Sequence, residues 1–229
     1  MTQAPVALPQ RRLTLKQEAA NYIRDLIFSG QLRPGQKLDQ DALADTLGLS
    51  RLPVREALIM LEAEGMVNNV ARRGAFVGEI ESDDIVDHFH MYGVLSGIAA
   101  QRVAQDPPAE LVEQLRTLSQ DMRSATVSAE HDQLNYLFHR TINRAGGSRR
   151  LKSVLRILSD NMPTHFFDIN AEWQFKEQAF DEHDRIVDAI AAGDGAAAAA
   201  ALASHFANVG EQAVNTLRNV GFWDRPAEV

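Results

Sequence analysis

The sequence predicts a mainly α-helical protein with an N-terminal winged helix-turn-helix and a C-terminal antiparallel α-helical bundle. Three observations carry that prediction. Residues 43–65, LADTLGLSRLPVREALIMLEAEG, follow the pattern of helix, tight turn and second helix. Residues 66–77 hold two short strand-like runs around Ala71-Arg72-Arg73-Gly74, the pattern of a hairpin wing. From Ser82 onward strand signals vanish, and apolar residues recur at helical spacing between Gly- and Pro-bearing breaks.

The first helix spans Gln17 to Phe28, with Tyr22, Ile23, Leu26 and Ile27 as its apolar stripe. Thr14 and Gln17 form a capping box at its start, and Gly30 stops it. Leu32-Arg33-Pro34-Gly35 is a turn, and Asp39 caps a second helix carrying Leu43 and Leu47. The third helix opens at Ser50, whose hydroxyl is placed to accept an orphan backbone N–H. Pro53 is tolerated that early in a helix. Arg51 and Arg55 are four apart and share a face, while Leu58 and Leu61 face inward. Cationic residues outward at the N-terminus and apolar residues inward is the layout of a helix entering a DNA major groove. An amphipathic core helix with solvated arginines would look the same in isolation. The wing arginines, Arg72 and Arg73, weigh against that blander account. Residues 1–12 are expected to be a mobile arm, with Arg11 and Arg12 near DNA.

A connector over 79–82 leads into the bundle, expected over 83–218, with a tail over 219–229. Ser82, Asp83 and Asp84 mark a helix start with acids suited to the dipole. Helices are expected at about 82–105, 107–127, 129–145, 148–162, 172–192 and 195–218. Breaks fall at Asp106-Pro107-Pro108, Gly146-Gly147-Ser148, Met162-Pro163 and Gly193-Asp194-Gly195. The run Ala196–Ala201 favours helix and allows close packing.

Composition narrows the function classes. The 229 residues carry a net charge of −8, which is unevenly spread. Residues 1–78 hold ten Lys/Arg and eight Asp/Glu, a net of +2; residues 79–229 hold thirteen and twenty-three, a net of −10. That split suits one DNA-facing module and one acidic module that stays off DNA. The chain has no cysteine, which excludes disulfides and thiolate metal sites and fits a reducing cytoplasm. No run of eighteen apolar residues predicts a membrane span, and the N-terminus lacks a secretory signal's apolar core.

All seven histidines lie in the second domain: His88, His90, His131, His139, His165, His183 and His205. A lone mid-helix histidine is usually a packed core residue. His139, His183 and His205, on three helices of one bundle, point instead to a transition-metal site. Asn135, one turn before His139, can aim its amide oxygen at the same centre. Three histidines with an open position also describe a catalytic zinc, so a metal-dependent hydrolase or other metalloenzyme fused to a winged helix is the alternative. Hydrolysis needs a general base beside the metal water. Glu182 and Asp184 flank His183, and helical geometry turns both away from its face. No nucleophile elbow, phosphate loop or dinucleotide fingerprint is present.

The order GQLRPGQKL, LADTLGLSRLPVREAL, LEAEGMV and RRGAFV resembles the DNA-binding domain of GntR-family bacterial transcriptional regulators. NYLFHR at 135–140, EHDRIVDAIAAGD at 182–194 and ASHFANV at 203–209 resemble the FCD ligand-binding domain of that family's FadR branch. The resemblance implies a metabolite-responsive repressor, a homodimer on a palindromic double-stranded operator, and no enzymatic activity. It implies DNA contacts by Ser50, Arg51, Leu52, Pro53, Arg55, Arg72, Arg73 and Gly74. It implies a divalent metal, zinc or nickel, on Asn135, His139, His183 and His205, with an open position for a small anionic metabolite. This chain departs from the family pattern in four places. Leu52 replaces a frequent threonine, Asp41 falls where some members carry a DNA-contacting arginine, and Asn135 replaces the usual aspartate. The first bundle helix lacks the family's carboxylate-gripping arginine, and Tyr92 or His88 takes its place. His88, Tyr92, Arg140 and Arg144 are the candidate effector contacts.

Overall fold

The computed structural model describes residues 13–161 and 176–224. The chain divides into two compact units, one made of residues 1–27 and 34–79, the other of 28–33 and 80–229. The expected arm over 1–12, the Met162-Pro163 break and the start of the helix expected from 172 lie outside the described residues.

α1 (Leu15–Phe28) lies in the first unit up to Ile27 and begins with the Thr14–Gln17 box: the Thr14 N–H donates to Gln17 Oε1 at 3.0 Å. β1 (Lys37–Leu38) and α2 (Gln40–Leu47) follow, and Asp39 caps α2 by accepting from the N–H groups of Asp41 and Ala42. Gly48, at φ 64°, supplies the left-handed turn into α3 (Arg51–Ala63). β2 (Val67–Val70) and β3 (Gly74–Val77) make the wing. The sheet order is β1-β3-β2, antiparallel throughout, with Leu38 opposite Ala75 and Val67 opposite Val77. Ile23, Ile27, Val54, Leu58, Leu61 and Val77 form the core.

Two local features differ from the sequence pattern. The sequence assigns no element to Lys37–Leu38, because two residues are too few to show strand alternation; pairing with β3 creates β1. Ser50 occupies the N-cap of α3 but makes no side-chain cap bond. A cap hydroxyl serves the second or third helical N–H, and the third residue here is Pro53, which has none.

The sequence also gave no sign of a buried ion pair. Arg24 is 2% exposed, and its guanidinium donates to Glu64 at 2.8, 2.9 and 3.1 Å. Its Nη1 donates to Asn21 Oδ1. The pair ties α1 to the C-terminal end of α3.

The second unit contains α4 (Ser82–Ala104), α5 (Ala109–Ser124), α6 (Ser128–Gly146), α7 (Arg149–Asp160), α8 (Lys176–Ala191) and α9 (Gly195–Asn219). α5 is shorter at both ends than expected. It starts after Pro107-Pro108, because each proline biases its predecessor away from helix, and it ends where Ala125 turns extended. The expected tail is partly packed structure. Asn219 closes α9, and within this unit Phe222 is fully buried and stacks on Phe28 at 6.5 Å.

α4 and α9 lie against each other along most of α4. Two glycines permit that approach. A Cβ at Gly93 would come within 2.8 Å of Phe206 Cβ, and one at Gly97 within 3.0 Å of the Ala199 carbonyl oxygen. The alanine run of α9 thus supplies the small surface expected of it. α6 packs on α4 and α5, and α8 on α5 and α9, so α6, α8 and α9 converge on one interior.

Candidate functional site

That interior holds His139 from α6, His183 from α8 and His205 from α9, all buried, with ligand-capable nitrogens within 4.8 Å of one another. His139 Nε2 and His183 Nε2 stand 3.3 Å apart. Two imidazoles on one tetrahedral zinc, with bonds of about 2.0–2.1 Å, place their nitrogens roughly 3.4 Å apart. Burial and then the proximity of His205 hold His139 well below the usual imidazole value. Burial, then His205, His139 and His131, do the same for His183. Burial thus favours the neutral, metal-ligating form of His139 and His183, and three imidazoles gathered from three helices are a donor set that fits a transition metal.

Glu182 leaves the face of His183, as helix geometry predicts, and meets α9 on that side. Its Oε2 accepts from His205 Nδ1 at 2.7 Å. Its Oε1 accepts from Gln178 Nε2 at 2.8 Å and Asn208 Nδ2 at 2.6 Å. Burial alone would raise this carboxyl, but the donors led by His205 outweigh it and hold Glu182 below the usual range. With Nδ1–H committed to Glu182, His205 presents Nε2 to the centre. Asp184 does turn away, accepting from Ser119 Oγ at 2.7 Å and Arg123 Nη2 at 2.9 Å. Asn135 is half-buried on α6, one turn before His139.

A second group of polar residues borders the triad. Phe206 packs on His139 at 4.7 Å, and Tyr92 sits edge-on to Phe206 at 4.7 Å. The Tyr92 hydroxyl accepts from Asn143 Nδ2 at 3.1 Å. Burial pushes the Tyr92 phenol up to about 12, so it stays a neutral donor. Asn143 Oδ1 is buried without a hydrogen-bond partner among the described residues. Burial likewise lowers His88 to about 4, against an opposing bond to the Leu158 backbone. The structure thus brings Tyr92 close to the triad. Arg140 and Arg144 are exposed on α6, and Arg140 lies over the Tyr136 ring at 5.8 Å. Asn143 was missed from sequence, although its position one turn after His139 was a usable signal.

In the first unit, Arg51, Leu52 and Arg55 are exposed at the start of α3, and Leu52 is 65% accessible. Pro53 is not on that surface: its ring turns inward beside Val54 and is buried. Arg72 and Arg73 are exposed at the wing tip, Arg72 at φ 62° and Gly74 at φ 105°. Arg73 lies over the Phe76 ring at 5.5 Å. Arg51 forms an ion pair with Asp41.

Residues 15–77 match the family described as bacterial regulatory proteins, gntR family, and residues 87–208 match the FCD domain. The chain belongs to the gntR family. It is 31% identical over 152 residues to an HTH-type transcriptional regulator of Mycobacterium tuberculosis, a match spanning 66% of this chain and 62% of that relative's length. Its identity to HTH-type transcriptional regulator LutR of Bacillus subtilis is 28% over 207 residues, covering 80% of this chain and 94% of LutR. Among solved structures it is similar to E. coli McbR/YncC, with a TM-score of 0.62 and 20% identity over 88% of this chain and 99% of that one. That last likeness speaks for the fold alone. No helix among the described residues is long and apolar enough to cross a membrane.

Proposed function

We propose that this protein is a cytoplasmic, homodimeric, DNA-binding transcriptional repressor of the FadR branch, controlled by a metabolite at a metal centre. The observation that carries the reading is the buried triad of histidines in the FCD bundle of a chain whose other unit is a winged helix. His139, His183 and His205, with Asn135, would hold zinc or nickel. The bound metal supplies a Lewis-acidic position that accepts a carboxylate-bearing metabolite. Around it Tyr92 and His88 offer neutral groups where other members carry an arginine, and Arg140 and Arg144 remain outlying effector candidates. The effector shifts DNA affinity only by its differential affinity for two bundle arrangements, typically about 1–3 kcal/mol of coupling. The chain joins the bundle to the winged helix through Glu79–Ser82.

Glu182 favours regulation over hydrolysis. A carboxylate beside a metal centre is the feature a hydrolase needs, but this one is already engaged by three donors. Dimerisation is supported by exposed apolar side chains on one side of α4, Met91, Val94 and Ile98, with Val154 and Ile157 on the adjoining α7. A dimer matches a palindromic operator by symmetry.

On DNA, Arg51 and Arg55 would read the major groove, with Leu52 against a thymine methyl, Ser50 near phosphate, and Arg72, Arg73 and Gly74 at the backbone or minor groove. Arg51→Ala and Arg55→Ala should each weaken specific binding by about 1–3 kcal/mol. Binding isotherms on the operator at two salt concentrations test this; unchanged affinity in both variants removes the assignment.

A further inference from the structure

We propose that Asp41 is a positioning residue for DNA readout: it grips one edge of Arg51 so that the opposite edge faces a guanine. The proposal rests on α3 being the recognition helix. It starts from a geometric fact. Arg51 Nε lies 2.5 Å from Asp41 Oδ1, and Arg51 Nη2 donates to Asp41 Oδ2 at 2.7 Å. The carboxylate thus holds the guanidinium side-on.

A guanidinium carries five N–H groups, one on Nε and two on each Nη. Asp41 Oδ2 takes one Nη2 hydrogen, and Oδ1 lies against Nε as an ion-pair contact. Both Nη1 hydrogens and the second on Nη2 remain. The free pair along the Nη1–Nη2 edge is a parallel fork, which is the geometry that meets guanine O6 and N7. A phosphate can accept the same fork, so base reading is separated from general affinity by the sequence and salt dependence of binding.

Asp41 is itself held firmly. It lies in the first turn of α2, where its N–H donates to the N-cap Asp39 Oδ1 at 2.9 Å. Arg51 is the first residue of α3, joined to α2 by the left-handed Gly48 turn. Both partners of the pair therefore start from rigid helix ends.

Fold stability does not explain the pair. The Arg51 side chain is 76% exposed and that of Asp41 57%, and exposed ion pairs stabilise a fold little. A carboxylate on a DNA-facing surface also repels phosphate. Asp41 therefore lowers the non-specific, salt-dependent part of binding while it sharpens the guanine-dependent part. Leu52, the neighbour of Arg51, offers no side-chain donor, which leaves the reading at this end of α3 to the held arginine.

The test uses the full-length protein and a duplex that the wild type selects from a random-sequence pool. Companion duplexes change each G·C pair of the half-sites singly, and a scrambled duplex reports non-specific binding. Asp41→Ala should bind the selected duplex about five- to a hundredfold more weakly. It should lose discrimination at one guanine per half-site, and it should bind the scrambled duplex more tightly with a steeper salt dependence. In an Arg51→Ala background, Asp41→Ala should change discrimination no further. Tighter binding of Asp41→Ala to both duplexes with discrimination intact would overturn the proposal, leaving Asp41 as a repulsive charge only. If Arg51→Ala loses discrimination while Asp41→Ala and Asp41→Asn keep it, the positioning role fails and the recognition helix stands. If Arg51→Ala itself keeps affinity and discrimination, the recognition-helix reading fails with it.

Discussion

Replacing Glu182 by alanine should weaken the metal centre without removing a metal ligand. In the folded protein this carboxylate accepts from His205 Nδ1 at 2.7 Å, and its other oxygen is saturated by Gln178 and Asn208. Truncation frees the His205 ring to rotate and to move its proton to Nε2, the nitrogen that should face the cation. It also leaves the Gln178 and Asn208 amides without an acceptor. Loss of such an outer partner typically costs about 10- to 100-fold in metal affinity, or about 1.4–2.7 kcal/mol. Glu182→Gln keeps an acceptor for Nδ1–H and should fall less, by roughly tenfold or under. Chelator-competition titrations with zinc measure the affinities, and nitrogen NMR of the metal-free protein reads the His205 tautomer. Wild-type zinc affinity in Glu182→Ala, with Nδ1 still protonated, would refute the reasoning.

Glu64→Ala should destabilise the winged-helix unit by about 3–5 kcal/mol, because it strands the Arg24 charge in the interior. Thermal unfolding checks this, and a loss near zero would show that Arg24 finds solvent or another partner. The metal-free protein should also lose stability as pH falls. His88 keeps its ordinary value near 6.5 in the unfolded chain but is held at about 4 when folded. Between those values the unfolded state binds the extra proton, so this group can contribute a slope of up to about 1.4 kcal/mol per pH unit. His88→Gln should flatten the urea-unfolding dependence across that window, and a slope equal to wild type would contradict it.

How much was legible in the sequence depended on the range of the interactions involved. The Thr14–Gln17 box, the Asp39 cap and the helix stop at Gly30 follow from chemistry within a few residues, and all appear in the structure. The three histidines were legible because each sits at a helical position that points to one interior. β1 was not, since it exists only through its pairing with β3. The Arg24–Glu64 pair was also hidden, its partners lying 40 residues apart. The partner of Glu182 was not legible: one helix fixes the directions of its own side chains but not which neighbour lies there. The role of Tyr92 beside Phe206 and Asn143 likewise depends on how α4, α6 and α9 meet.

The central claim is that one divalent cation, held by histidines of three helices, lies at the sensing site. Elemental analysis of purified wild type, His183→Ala and His205→Ala, alongside operator titrations with and without effector, tests it most directly. Wild type should carry one zinc or nickel per chain, and both variants should lose that metal and respond more weakly to effector with the winged helix still folded. Stoichiometric metal in either variant would contradict the ligand set; metal loss with a normal response would place the sensing site elsewhere.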